Sequence, residues 1–106
     1  MNPARWGELN TRLHLHLVSR AEQPRTLAIV TALLQNTDRY TRLQLSLTGS
    51  GRTRAEKEHA TMVRLCCSGD VAAACKLLTA HIAHAEAALL AFIDARKSSA
   101  AVSSGR

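Results

Sequence analysis

Apolar positions recur every three or four residues along most of the chain, and no stretch shows the strict alternation of a strand. Between Pro3 and Ser19, the residues Trp6, Leu9, Leu13 and Leu17 fall on one face, which predicts a first helix there. Pro3 suits its first turn, where a missing N–H costs nothing. A second helix is predicted from Pro24 to about Leu47, with a stripe of Leu27, Val30, Leu33, Leu34, Thr37, Tyr40, Leu43 and Leu47. Asp38, Arg39 and Arg42 lie off that stripe and are expected to face water. The run Thr48-Gly49-Ser50-Gly51 reads as a loop by its glycines. A third helix is expected from about Arg54 to Cys67 or Ser68, with Ala55, His59, Met62, Val63 and Cys66 on one face. Gly69 stops it, because glycine takes the left-handed conformation without strain. Asp70 then caps a fourth helix reaching about Ala95, whose inward residues are Ala74, Leu77, Leu78, His81, Ala85, Ala88, Leu89 and Phe92. The expected fold is an all-α antiparallel bundle of about four helices over residues 1–96, with a disordered Ser/Ala-rich tail over 97–106.

Composition fits that picture and narrows it. Apolar residues make up 46% of the 106 residues and aromatics only 3%, so Leu, Ala, Val and Ile must fill the core. A chain of this length buries a modest share of its surface and gains from a partner chain. The formal charge is +6, with eight arginines against three acids in residues 1–54. Such an excess suits an acidic ligand or partner, or non-specific attraction to nucleic acid; a solvated arginine-rich surface is the favoured account, because charge speaks to partners and not to fold. Cys66, Cys67 and Cys75 form no framework spacing and read as reduced thiols of a cytoplasmic protein. Adjacent cysteines on a helix cannot both face one metal. Arg5, Glu8 and Arg12 interrupt any signal-peptide pattern, and the apolar stretch near residue 85, holding His81, His84 and Glu86, is expected to be too short to span a membrane.

Polar residues on the apolar faces carry the chemical information, since a buried polar group needs a partner. Asn10 and His14 are one turn apart on the face shared with Trp6, Leu13 and Leu17. His59 lies on the inner face of the third helix and His81 on that of the fourth. Four inward nitrogen or oxygen donors from three helices make a candidate site for a divalent metal such as Zn or Ni in a bundle core. Histidines that merely hydrogen-bond within the core are the competing account. His16 is about 200° around from His14 and is expected to face solvent, while His84 flanks the inner face. Glu58, next to His59, points elsewhere on its helix. No glycine-rich phosphate loop and no Ser/His/Asp set is present, so catalysis has little support. The helix pair joined by Ser68-Gly69-Asp70 does not read as a DNA-recognition unit, because Val71, Ala72, Ala73, Ala74 and Cys75 offer nothing to base edges.

Taken in order, several segments resemble one family. They are Glu8-Leu9-Asn10-Thr11-Arg12-Leu13-His14, Gln23-Pro24-Arg25-Thr26-Leu27, Arg39-Tyr40-Thr41-Arg42-Leu43, Glu56-Lys57-Glu58-His59, Ser68-Gly69-Asp70-Val71-Ala72-Ala73-Ala74 and Ala80-His81-Ile82. Over residues 4 to 95 the chain is similar to the C-terminal, all-helical FCD domain of the FadR branch of GntR transcription regulators. That pattern has an acid four residues before a histidine, a Glu-His about 45 residues later, and a third histidine 22 residues beyond, after a Gly-Asp turn. The resemblance implies a divalent ion held by Asn10, His14, His59 and His81, which anchors a small organic-acid effector, with His84 and Tyr40 lining the effector pocket. Asn10 departs from the family's aspartate and removes a negative charge beside the ion. The family's winged helix-turn-helix and the helices that follow it lie outside this sequence, so the resemblance implies a partial domain. It further implies a homodimeric, non-enzymatic sensor in which this segment makes no sequence-specific DNA contact. A structural or dimerisation module without metal is the alternative.

Overall fold

The computed structural model describes residues 1–48 and 51–104. Four helices and no strand are found among them, so the all-α class is as expected. The helices are α1 (Pro3–Leu17), α2 (Pro24–Leu47), α3 (Arg52–Cys67) and α4 (Val71–Ser104). They form two compact units, residues 1–49 and 50–106, each an antiparallel pair and each described by itself.

In the first unit α1 is started by Asn2, whose side-chain oxygen accepts from the Arg5 N–H at 2.8 Å, with Pro3 following. It ends at Leu17, two residues short of the expected Ser19. Pro24 opens α2. The two helices come close at Gly7. A Cβ there would lie 2.5 Å from Asp38 Oδ1 and 3.0 Å from both Arg42 Cγ and Arg42 Nε. This contact corrects the expected faces of α2. Asp38 is only 16% exposed, and its other oxygen, Oδ2, is 2.7 Å from Arg42 Nε. The side of α2 that is at least half covered therefore runs through Leu27, Thr31, Leu34, Asp38, Thr41 and Leu45, with Val30 and the buried Gln44 beside it. Leu33, Thr37, Tyr40, Leu43 and Leu47, expected inside, are exposed, as is Ile29. Trp6 is buried, and Leu9, Asn10, Leu13, His14 and Leu17 are partly covered, as their spacing predicts.

Gly7→Ala sets two effects against each other. Alanine is favoured over glycine inside a helix by about 1 kcal/mol. The new methyl meets the Asp38–Arg42 pair, and overpacking of that kind costs about 1–3 kcal/mol. Asp38 is short and pinned, so the clash wins. We expect a net loss of about 1 kcal/mol and a lower melting temperature by circular dichroism. A higher melting temperature would mean that the pair gives way.

In the second unit α3 starts two residues earlier than expected, after Gly51 at φ +84°. Gly69, at φ +75°, ends the α3 turn, and Asp70 Oδ1 accepts from the Ala73 N–H at 3.1 Å, so the tight helix–cap–helix connection forms as expected. Met62 is buried, and Ala55, Glu58, His59 and Leu65 are partly covered; Val63 and Cys66, expected inside, are exposed. On α4, Ala74, Leu77, Leu78, His81, Ala88, Leu89 and Phe92 are covered as expected, whereas Ala85 is exposed.

The fourth helix continues to Ser104, past the expected end at Ala95. Between Lys97 and Ser104 there is neither Gly nor Pro, so no backbone breaker stops it. Gly105 and Arg106, the end of the expected tail, and Gly49 and Ser50 of the expected loop lie outside the described residues. Residues Val71–Ser99 are long and apolar enough to cross a membrane by length and composition, which corrects the expectation drawn from the sequence. The stretch nevertheless carries His81, His84 and Glu86, and two of these bond to Glu58 on α3. Ionisable groups of that kind are costly in hydrocarbon.

Candidate functional site

Antiparallel pairing about the Gly69 turn decides which residues of α3 and α4 meet. Positions equidistant from the turn face each other, so Glu58 and His59 come opposite His81. The His59 and His81 rings are 4.9 Å apart between centroids and tilted by 55°. His81 is buried and His59 partly covered. Behind His81 stands Glu58. The Nδ1 of His81 is 3.2 Å from Glu58 Oε1, and the Nδ1 of His84 is 2.9 Å from Glu58 Oε2. One carboxylate thus receives hydrogen bonds from two imidazoles, one buried and one exposed.

Partial burial disfavours the charge on Glu58. The hydrogen bonds from His84 and His81, and the attraction of both rings when protonated, outweigh it, so the carboxyl is held below its ordinary value. The group is therefore an anion at neutral pH, and its natural partners are N–H donors.

The other predicted site residues lie in the first unit. Asn10 and His14 are one turn apart on the partly covered face of α1. His16 is exposed, as its position on the helix requires. Tyr40 is exposed on α2; its hydroxyl accepts from Arg39 Nη2 at 3.2 Å, and the Arg39 guanidinium lies 5.1 Å from the ring centre. With Gln35, Arg42 and Ser46 it borders an open groove. The three cysteines are free and exposed, and none joins the histidines.

Two facing imidazoles on adjacent helices, one of them tied to a carboxylate, form a donor set that fits a borderline divalent ion. Neutral imidazole nitrogen is a ligand for such metals, and a carboxylate on the far nitrogen is the usual support for a ligating histidine. Sequence reasoning placed His59 and His81 correctly but sent Glu58 elsewhere. The signal was there to use. Reflecting the sequence about the Gly69–Asp70 bond brings residue 58 opposite residue 81, and His84 follows one turn further along the same side of α4.

The described residues form an all-helical domain. The FCD domain model matches residues 2–84, which takes in α1, α2, α3 and the part of α4 that bears His81 and His84. The chain belongs to the FCD domain family, the effector-binding C-terminal domain of GntR-family regulators. No curated protein and no solved structure matches it.

Proposed function

We propose that this chain is the effector-sensing part of a GntR-type regulator, binding a small organic acid through a divalent ion such as Zn or Ni. The observation that carries the reading is the facing His59–His81 pair, backed by Glu58, within a chain of this family. His14 and Asn10 of α1 complete the ligand set in the pattern that the family resemblance implies. The ion presents a positive centre to an effector carboxylate. His84, exposed beside the pair, borders the effector. The FadR branch is the assignment within the family, and a homodimer in the cytoplasm is the working form. Binding of the effector biases the DNA affinity of the intact regulator through this domain.

Calorimetric titration tests the reading. Zn(II) or Ni(II) is titrated into chelator-treated protein, followed by a panel of di- and tricarboxylates with and without the ion. Carboxylate binding that requires the ion supports the function; binding of neither overturns it. Asn10 gives a sharper version. Asn10→Asp restores a negative charge beside the ion and should tighten metal binding about tenfold, equivalent to roughly 1.4 kcal/mol. Unchanged or weaker affinity would remove residue 10 from the ligand set.

The arginine excess yields a separate expectation. DNA retention by this chain should be non-specific and should fall steeply with salt, because it reflects phosphate neutralisation alone. The start of α4, Val71 to Cys75, offers no side chain that reads bases. Sequence-selective retention at raised salt in a gel-shift assay would contradict this.

A further inference from the structure

The carboxylate of Glu58 has a place that the ligand set does not assign. We infer that Glu58 is the positioning residue that fixes His81 as the Nδ1–H tautomer and so makes Nε2 its donor atom, with His84 holding the carboxylate in place. The inference rests on the metal reading above for its purpose, but its geometry stands alone.

A neutral imidazole carries one proton on one of two nitrogens, and only the bare nitrogen can ligate a metal. Glu58 Oε1 lies 3.2 Å from His81 Nδ1. An anionic carboxylate accepts and cannot donate, so the proton stays on Nδ1 and the lone pair is on Nε2. His81 is buried, which makes a mismatched tautomer costly, because the carboxylate would then face a lone pair in a poorly solvated place. A single hydrogen bond leaves a carboxylate free to rotate. The second, from His84 Nδ1 to Oε2 at 2.9 Å, fixes the plane of the group. His84 is exposed, so this outer bond is reachable from solvent while the inner one is not. The Glu58 anion also makes the His81 ring a stronger donor to a cation.

The test reads the tautomer directly and without metal. In chelator-treated protein at mildly alkaline pH, long-range proton–nitrogen NMR of the histidine rings should show His81 as the Nδ1–H form. In Glu58→Ala it should shift to a mixture dominated by the Nε2–H form that a free histidine side chain prefers. Zn(II) affinity should fall about 10–100-fold, the range for loss of such a support. Glu58→Gln keeps size and shape and guards against a variant that fails to fold; its amide oxygen accepts only one of the two bonds, so its affinity should fall between the parent and Glu58→Ala. His84→Ala should weaken the ion several-fold while His81 stays in the Nδ1–H form. A parent in which His81 is the Nε2–H form, or one that binds the ion equally well after Glu58→Ala, overturns the inference. Absence of ion binding by the parent is instead the failure of the metal reading, so the two failures are told apart.

Discussion

Replacing His59 by alanine is expected to strip the chain of its divalent ion. Protein purified without chelator should hold up to one ion per chain, and His59→Ala should hold none by elemental analysis. Its affinity should fall at least a hundredfold, about 2.8 kcal/mol. The physical ground is the 4.9 Å separation of the His59 and His81 rings, since removing one of two facing imidazoles leaves a lone neutral donor on that helix pair. The same ion should stabilise the fold, because it binds the folded chain and not a preformed site in the unfolded one. At a hundred times its dissociation constant the ion adds about 2.7 kcal/mol. For a domain of this size that raises the melting temperature by an amount on the order of 10 °C. The rise should vanish in His59→Ala. His16 is exposed and belongs to no donor set, so His16→Ala should retain both the ion and the shift. Equal metal content in His59→Ala and the parent would sink the assignment.

The sequence is most informative where local chemistry is strong. Pro3, Pro24, Gly69 and Asp70 mark helix ends by steric and capping rules that need no tertiary context, and the structure places ends or turns at each of them. The inward positions of α4 up to His81 follow from its period alone. Two kinds of information do not follow from helical period alone. One is which side of a helix with two apolar faces meets its neighbour. On α2 the series Leu27, Leu34, Leu45 and the series Ile29, Leu33, Leu43, Leu47 both recur at helical spacing, and Gly7, by admitting Asp38 and Arg42 at close range, selects the first. The other is the pairing of Glu58 with His81 and His84, 23 and 26 residues away. Helical period places Glu58 at the margin of the α3 apolar stripe and says nothing of a partner; only the Gly69 turn brings that partner near. The end of α4 differs for a simpler reason. Ser and Ala after Lys97 suggest a tail by composition, yet nothing there obstructs helix continuation.

Self-association is the second large effect expected, and it follows from what the helices leave uncovered. Among the described residues only Trp6 and Met62 are buried apolar side chains. That is a thin core to set against the conformational entropy of a hundred residues. The uncovered apolar surface is not scattered. Ile29, Leu33, Tyr40, Leu43 and Leu47 are all exposed, Ile29 by 61% and Leu33 by 58%, and with Asn36 they step along α2 by four, three, four, three and four residues. That alternation is the seam of a two-helix coiled coil, with one polar residue in the seam to fix register. Two copies of α2 laid seam to seam would cover an area on the order of 1,000 Å², the lower bound for a specific interface. We therefore expect the parent chain to run as a dimer in light scattering at micromolar concentration. Its melting temperature should rise with protein concentration, as it must when folding and pairing are coupled. Leu33→Glu with Leu43→Glu places like charges in the seam and should shift the chain to monomer, with a melting temperature lower by 5 °C or more, equivalent to roughly 1 kcal/mol. Both residues belong to the first unit and the His59–His81 pair to the second, so a monomeric variant that still binds the ion would separate assembly from sensing. A parent that melts sharply as a monomer, at a temperature independent of its concentration, would show that the four helices suffice on their own and that the α2 seam is simply solvated.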